Sequence, residues 1–272
     1  MTNTAIHLTQ WSKFAASDPT VVLVHGGVQG SARGGDQQFS RQSRLATQGW
    51  RVIAPDRPGH GRSPSPGRPD DAEADGLWVA DLLGDPLGEG AHLVGHSFGG
   101  CVALAAAALR PEAVWSLTLI EPAMHALAAA DPRVQTFLKG MMAVHAEASS
   151  AADVALGFMK QVNVPAEVRG ASSAEELERM GEALRRVKLP SPDWLRTSLE
   201  KIKTERIPAL VVTGGWSPAF EAVGDVVSGL CGAARVIVAS DHHLVQLASD
   251  EFNLRLAQFM RQADLERRSH KT

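Results

Sequence analysis

The chain has 272 residues, 44% of them hydrophobic and 21% charged, with a formal net charge of -3; that is enough chain to bury a large core as one domain, or as one domain with an inserted subdomain. This balance offers no broad basic field to phosphate backbones, so nucleic acid is not an expected partner. Two cysteines, Cys101 and Cys231, imply no disulfide framework, and no basic segment with an apolar core opens the sequence, so a cytoplasmic location is expected.

Short β-branched runs alternate with longer helical stretches. In chain order the runs are 21–24, 51–54, 92–94, 116–120, 210–213 and 235–238. Continuous apolarity of this length between helical segments predicts parallel strands buried on both faces, hence an α/β class. The interval 122–206 breaks the rhythm: it holds no strand signal but helical spacing, as at Leu177, Met180, Leu184 and Val187, with Pro165, Pro190 and Pro192 as punctuation. It is expected to be a helical cap inserted into a core formed by 1–121 and 207–272. Its Met124, Phe137, Met141, Met142, Phe158 and Met159 are candidates for apolar walls or for core contacts.

The segment 62–71 reads as a proline-rich polar loop. The run 101–109 is too short to cross a bilayer, which needs about 20 apolar residues. A final amphipathic helix carries Phe252, Leu256, Phe259 and Met260, and the charged tail after Asp264 is expected to fray.

Gly95-His96-Ser97-Phe98-Gly99 directly follows a strand run and precedes an alanine-rich helix. That context suits a nucleophile elbow, in which the serine sits on a strained turn and its flanking glycines let strand and helix pass closely. The helix N-terminus favours a developing negative charge. His25-Gly26-Gly27 ends another strand, and its backbone can supply the second oxyanion donor. The expected donors are the N–H groups of Phe98 and Gly27, with Val28 as the alternative to Gly27. His25 and His96 read as braces rather than proton carriers.

Together, His25-Gly-Gly, Asp56-Arg-Pro-Gly-His-Gly-Arg-Ser63, Gly95-His-Ser-Phe-Gly99 and a late histidine resemble the α/β-hydrolase superfamily over nearly the whole chain outside the cap. The resemblance implies an α/β-hydrolase fold, a mostly parallel sheet flanked by helices with a helical cap. It also implies that Asp56, Arg57, Gly59, Gly61 and Ser63 are scaffold. The base is expected after the last strand, where His243-Leu-Val-Gln246 matches the family pattern better than His242 does. Most members place an aspartate after the strand that follows the cap, but here Ser217 stands in that place. Some branches, the haloalkane dehalogenases and fungal zearalenone lactonases among them, use an acid after the preceding strand, and Glu121 occupies that position. Glu221, Asp225 and Asp241 are lesser candidates, and Glu121 can also be read as a cap for the helix after Pro122.

No phosphate-binding glycine loop, cofactor motif or spaced metal-ligand set is present, so no cofactor and no metal are expected. The chain contains no tyrosine, so no step can use a phenol. Cys101 reads as a small buried hydrophobe. These features point to a serine hydrolase of a small, largely apolar ester, lactone or thioester, with Ser97, His243 and Glu121 as its triad. The partner is then a small-molecule substrate and not a membrane; the oligomeric state is not legible. The alternatives are a non-hydrolytic enzyme of the same fold (a lyase, perhydrolase or carbon–carbon bond hydrolase) and a non-catalytic small-ligand-binding protein.

Overall fold

The computed structural model describes residues 6–11, 18–84 and 90–269. The six apolar runs all form strands: β2 (Thr20–Val24), β3 (Arg51–Pro55), β4 (Ala91–His96), β5 (Val114–Ile120), β6 (Ala209–Thr213) and β7 (Ala234–Ile237). A further strand, β1 (Leu8–Trp11), pairs antiparallel with β3 at the sheet edge. The order is β1-β3-β2-β4-β5-β6-β7, parallel throughout apart from β1. This is an α/β-hydrolase fold, as the sequence motifs lead one to expect.

Alternation along each strand sends side chains to opposite faces. Val22, Val24, Leu93, Leu117, Leu119 and Val211 pack on one side with α2 (Ala72–Leu83) and α3 (Phe98–Leu109). Val21, Leu23, Val94, Ile120, Leu210 and Val212 pack on the other against Phe39, Leu45 and Trp50.

Between β5 and β6 the chain forms α4 (Pro132–Glu147), α5 (Ala151–Gln161), α6 (Ala166–Gly170), α7 (Ala174–Leu184) and α8 (Pro192–Thr204). The interval is energetically split. Val154, Ala155 and Met159 of α5 join Met180, Ala183 and Leu184 of α7 in a separate apolar cluster that also takes in Val28. Leu195, Leu199 and Ile202 of α8 belong instead to the main core. Val187, expected to extend the α7 periodicity, lies beyond the end of that helix.

After β6 come α9 (Pro218–Cys231), β7, the single turn α10 (Val245–Ala248) and α11 (Asp250–Ser269). Phe252, Leu256 and Met260 seal the second face of the sheet. The tail corrects the sequence expectation, because α11 stays helical past Asp264 to Ser269. Asp264 lies 3.5 Å from the buried His92 and bonds Arg267, whose guanidinium stacks 4.3 Å above the Trp115 ring. These contacts dock the last turns that charge alone would leave loose. No helix among the described residues is long and apolar enough to cross a membrane.

Candidate active site

The C-terminal ends of β4, β5 and β6 lie side by side, with His96 paired to Ile120 and Ile120 to Val212. The chain leaves this edge through Ser97, Glu121 and Gly214. Ser97 takes φ +55° and ψ -123° between β4 and α3, and Glu121 takes φ +40°. Both conformations are strained for residues other than glycine and persist only where the surroundings impose them. The Ser97 amide donates to the Ile120 carbonyl and the Glu121 amide to the Val212 carbonyl, each at 2.9 Å, so the sheet ladder itself sets both residues. Close approach does the rest: a Cβ on Gly99 would sit 2.3 Å from the carbonyl oxygens of Val24 and His25, and one on Gly95 would sit 2.4 Å from that of Gly99. No side chain fits at either position.

His243 Nδ1 and Glu121 Oε2 share a hydrogen bond at 2.6 Å. Glu121 Oε1 accepts from the Gly214 amide at 2.9 Å, and the Trp216 indole donates to both carboxylate oxygens, at 2.9 and 3.1 Å. With Nδ1 so engaged, Nε2 is the nitrogen left for chemistry. Glu121 is fully buried and His243 is 4% exposed. Burial pushes the Glu121 carboxyl up to about 8, against the pull of its N–H donors, and holds the His243 imidazole down at about 3. Both shifts have one physical origin, the cost of charge in a buried site.

The His25-Gly26-Gly27 turn, expected to supply an oxyanion donor, is held by Arg57. Its backbone N–H donates to His25 Nε2 at 2.9 Å, and His25 Nδ1 in turn bonds the Gly26 carbonyl at 2.7 Å. The fully buried guanidinium pairs with Asp70 and Asp75. It also approaches the Gly26 and Gly27 carbonyls at 3.5 and 3.4 Å and lies 4.6 Å over the Phe98 ring. Gly27 needs φ +80°, and a Cβ on Gly26 would meet Ser97 Cβ at 2.7 Å, so this turn packs directly on Ser97. As the first residue of α3, Phe98 has a backbone N–H with no intrahelical acceptor.

The remaining candidates are placed elsewhere. Glu221 pairs with Arg235 and accepts from Gly215, Asp225 also pairs with Arg235, and the Asp241 side chain is 96% exposed. Ser217 is the N-cap residue of α9. His242 bonds within its own loop, to Ser240 and the Leu244 amide. Asp56 accepts from Gly35 and Arg62, holding together the loop that Ser63 closes on the Asp56 carbonyl. Cys101 is fully buried, and burial raises its thiol to about 12.

Of the apolar wall candidates, Met124 belongs to the main core, Met159 to the cluster of α5 and α7, and Met142 points outward at 64% exposure. Phe137 does approach the base, through Phe220, whose ring centroid lies 4.6 Å from that of His243. Trp216, His125 and Phe220 have no part in the sequence reading; a lone aromatic in a loop or helix carries no spacing signal.

A family model described as alpha/beta hydrolase fold matches residues 19–250. The dihydrolipoyllysine-residue acetyltransferase component of the acetoin cleaving system of Pseudomonas putida is 30% identical over 260 residues, which are 93% of this chain and 67% of that protein. Lipase LipV of Mycobacterium tuberculosis is 47% identical over 74 residues, 27% of this chain and 28% of the lipase. Among solved structures, the enol-lactonase from Burkholderia xenovorans LB400 superposes with a TM-score of 0.65 at 20% identity, covering 94% of this chain and 96% of that one. The chain belongs to the alpha/beta hydrolase fold family.

Proposed function

We propose that the chain is a serine hydrolase of carboxylic esters, lactones or thioesters of small, largely apolar molecules. His243, oriented by Glu121, takes the proton of the Ser97 hydroxyl as its oxygen adds to the scissile carbonyl. The backbone N–H groups of Phe98 and Gly27 hold the oxyanion. His243 then gives its proton to the leaving alcohol or thiol, and water, activated by the same imidazole, releases the acid from the acyl-enzyme. Residues 122–206 act as the cap over this site.

The observation that carries the reading is the 2.6 Å bond between His243 and Glu121, at the strand end next to the Ser97 turn. An acid at this strand end reaches the same ring nitrogen as one after the following strand, and the Gly214 amide and Trp216 indole hold it there. The local similarity to a lipase is in keeping with ester chemistry.

The test is turnover of short-chain p-nitrophenyl esters and a lactone panel, with labelling by a serine-directed fluorophosphonate. Wild type is expected to turn over substrate and take the label, and Ser97→Ala to do neither. His243→Ala and Glu121→Gln should lose on the order of 10³-fold or more in kcat. A wild type that neither labels nor turns over any ester would sink the proposal in favour of a binding protein.

A further inference from the structure

We propose that His125 forms a subsite beside the nucleophile that receives a free hydroxyl group of the substrate; the proposal rests on the ester or lactone chemistry put forward above. His125 opens the short 3-10 helix His125–Ala128, four residues after Glu121. This segment is tied to the elbow by the Ala123 amide, which donates to the Ser97 carbonyl at 3.2 Å. The His125 ring stacks on Phe137 of α4, with centroids 4.6 Å apart and planes 8° apart, and meets Phe220 edge-on at 4.9 Å. The same Phe220 ring lies 4.6 Å from His243. One aromatic layer thus joins the helical interval to the base.

Within that layer His125 Nε2 is buried without a hydrogen-bond partner. His60, His92 and His96 also have an unpartnered buried nitrogen, but each uses its other nitrogen: His60 on the Pro58 carbonyl, His92 on Ser116 and His96 on the His243 carbonyl. Their polarity is accounted for by the fold. Among the described residues no hydrogen bond holds His125 through either nitrogen. A phenylalanine would make the same stack on Phe137 without stranding a polar atom in an apolar wall. The fold therefore leaves Nε2 unpartnered, on a residue that is only part-buried.

Burial lowers the His125 imidazole to about 4, so the ring is neutral near pH 7. A neutral imidazole has one N–H and one lone pair, and which of them Nε2 presents depends on the tautomer. A hydroxyl both donates and accepts, so it satisfies Nε2 in either tautomer. A carboxylate can only accept, so it suits one tautomer alone, and its charge is costly to place against this apolar layer. The matching substrate is a hydroxy ester or hydroxy lactone whose apolar body rests on the Phe137, Phe220 and Trp216 rings.

The test compares methyl 3-phenylpropanoate with its 2-hydroxy and 3-hydroxy analogues on wild type, His125→Phe and His125→Gln. The readout is the ratio of kcat/KM, hydroxy ester over parent, which cancels any general loss of activity. In wild type at least one hydroxy ester should be favoured about tenfold, equivalent to about 1.4 kcal/mol. His125→Phe should bring that ratio to about one, while His125→Gln, which keeps a donor and an acceptor, should retain part of it. Equal ratios in wild type and His125→Phe overturn the subsite. If wild type hydrolyses none of these esters, the hydrolase reading is judged separately, by the p-nitrophenyl ester and lactone panel and the fluorophosphonate label. The subsite is then judged by calorimetric titration of the corresponding amides into Ser97→Ala, with and without His125→Phe. A hydroxyl preference that depends on His125 upholds it, and none overturns it.

Discussion

His96 donates its Nε2–H to the backbone carbonyl of His243 at 2.9 Å, and the two rings lie 4.6 Å apart. The residue before Ser97 therefore holds the loop that carries His243, the proposed base, across 147 positions of sequence. His96 is itself buried, and burial keeps its imidazole well below the usual range, so it acts as a neutral donor. Replacing His96 by Phe keeps a ring but deletes this bond, which is worth about 0.5–1.5 kcal/mol net. The expected outcome is a kcat for p-nitrophenyl ester hydrolysis lower by about tenfold with KM little changed, and a melting temperature lower by a few degrees. A fall in melting temperature with kcat intact would confine His96 to folding.

Arg57 makes a second link, between the Gly26-Gly27 turn and Phe98, the two sides of the proposed oxyanion site. Its guanidinium is buried with Asp70 and Asp75, faces the Gly26 and Gly27 carbonyls and lies over Phe98. Removing the charge in Arg57→Met takes the guanidinium from the buried Asp70 and leaves the buried Asp75 with Arg68 alone, a loss of about 3–5 kcal/mol in stability. Adding Asp70→Asn and Asp75→Asn to that variant should recover much of the stability, because the stranded charges go with the cation. It should not recover kcat, because the guanidinium that faces the Gly26 and Gly27 carbonyls and covers Phe98 is still gone. Denaturant unfolding and steady-state kinetics on the single and triple variants check this, and full kinetic recovery in the triple variant would reduce Arg57 to scaffold.

Much of this arrangement was legible in the sequence, and the exceptions have physical causes. Six strands showed as continuous apolar runs because a parallel sheet buries both faces. β1 did not, because Leu8–Trp11 is a four-residue edge strand with alternate residues exposed. The end of α11 was hidden because its charges suggested solvent, whereas Asp264 and Arg267 are spent on His92 and Trp115. Ser97, His243 and Glu121 could each be picked out by their place after a strand. The contact between Glu121 and His243 spans 122 positions, and only the strand order brings it about. Trp216 was invisible as a partner of Glu121, since an indole N–H one residue from the vacant aspartate position follows no motif.

The Glu121 carboxyl gives the reaction a distinctive pH dependence. Burial pushes it up to about 8. While it is protonated it donates to His243 Nδ1, which places the imidazole proton on Nε2 and leaves no lone pair for the serine. Ionisation of Glu121 reverses that tautomer. Activity should therefore rise with pH through a midpoint displaced well above the ordinary carboxylate range, toward 8. In Glu121→Gln the residual activity should lose this limb. A wild-type profile with its midpoint near 4 to 5 would place the carboxylate in its ionised form throughout the working range.

The same burial sets the acid limit of the fold. Six histidines, His25, His60, His92, His96, His125 and His243, are held below their ordinary range, with burial the largest cause in each case. The unfolded chain binds a proton at each near pH 6.5, while the folded chain binds it only at lower pH, so the unfolded state holds more protons in that window. Stability must then fall as pH drops below about 6.5, by about 1.4 kcal/mol per pH unit for each histidine still neutral in the fold. Several acting together amount to a large share of the 5–15 kcal/mol typical of a native protein within one or two pH units. Thermal unfolding from pH 8 to 4 should show a steep drop in melting temperature beginning near 6.5. His125→Phe removes one of these groups without stranding a partner, so its acid slope should be shallower than that of wild type by about one proton. An unchanged slope would mean that His125 is protonated in the fold, and the neutral hydroxyl acceptor assigned to it would no longer stand.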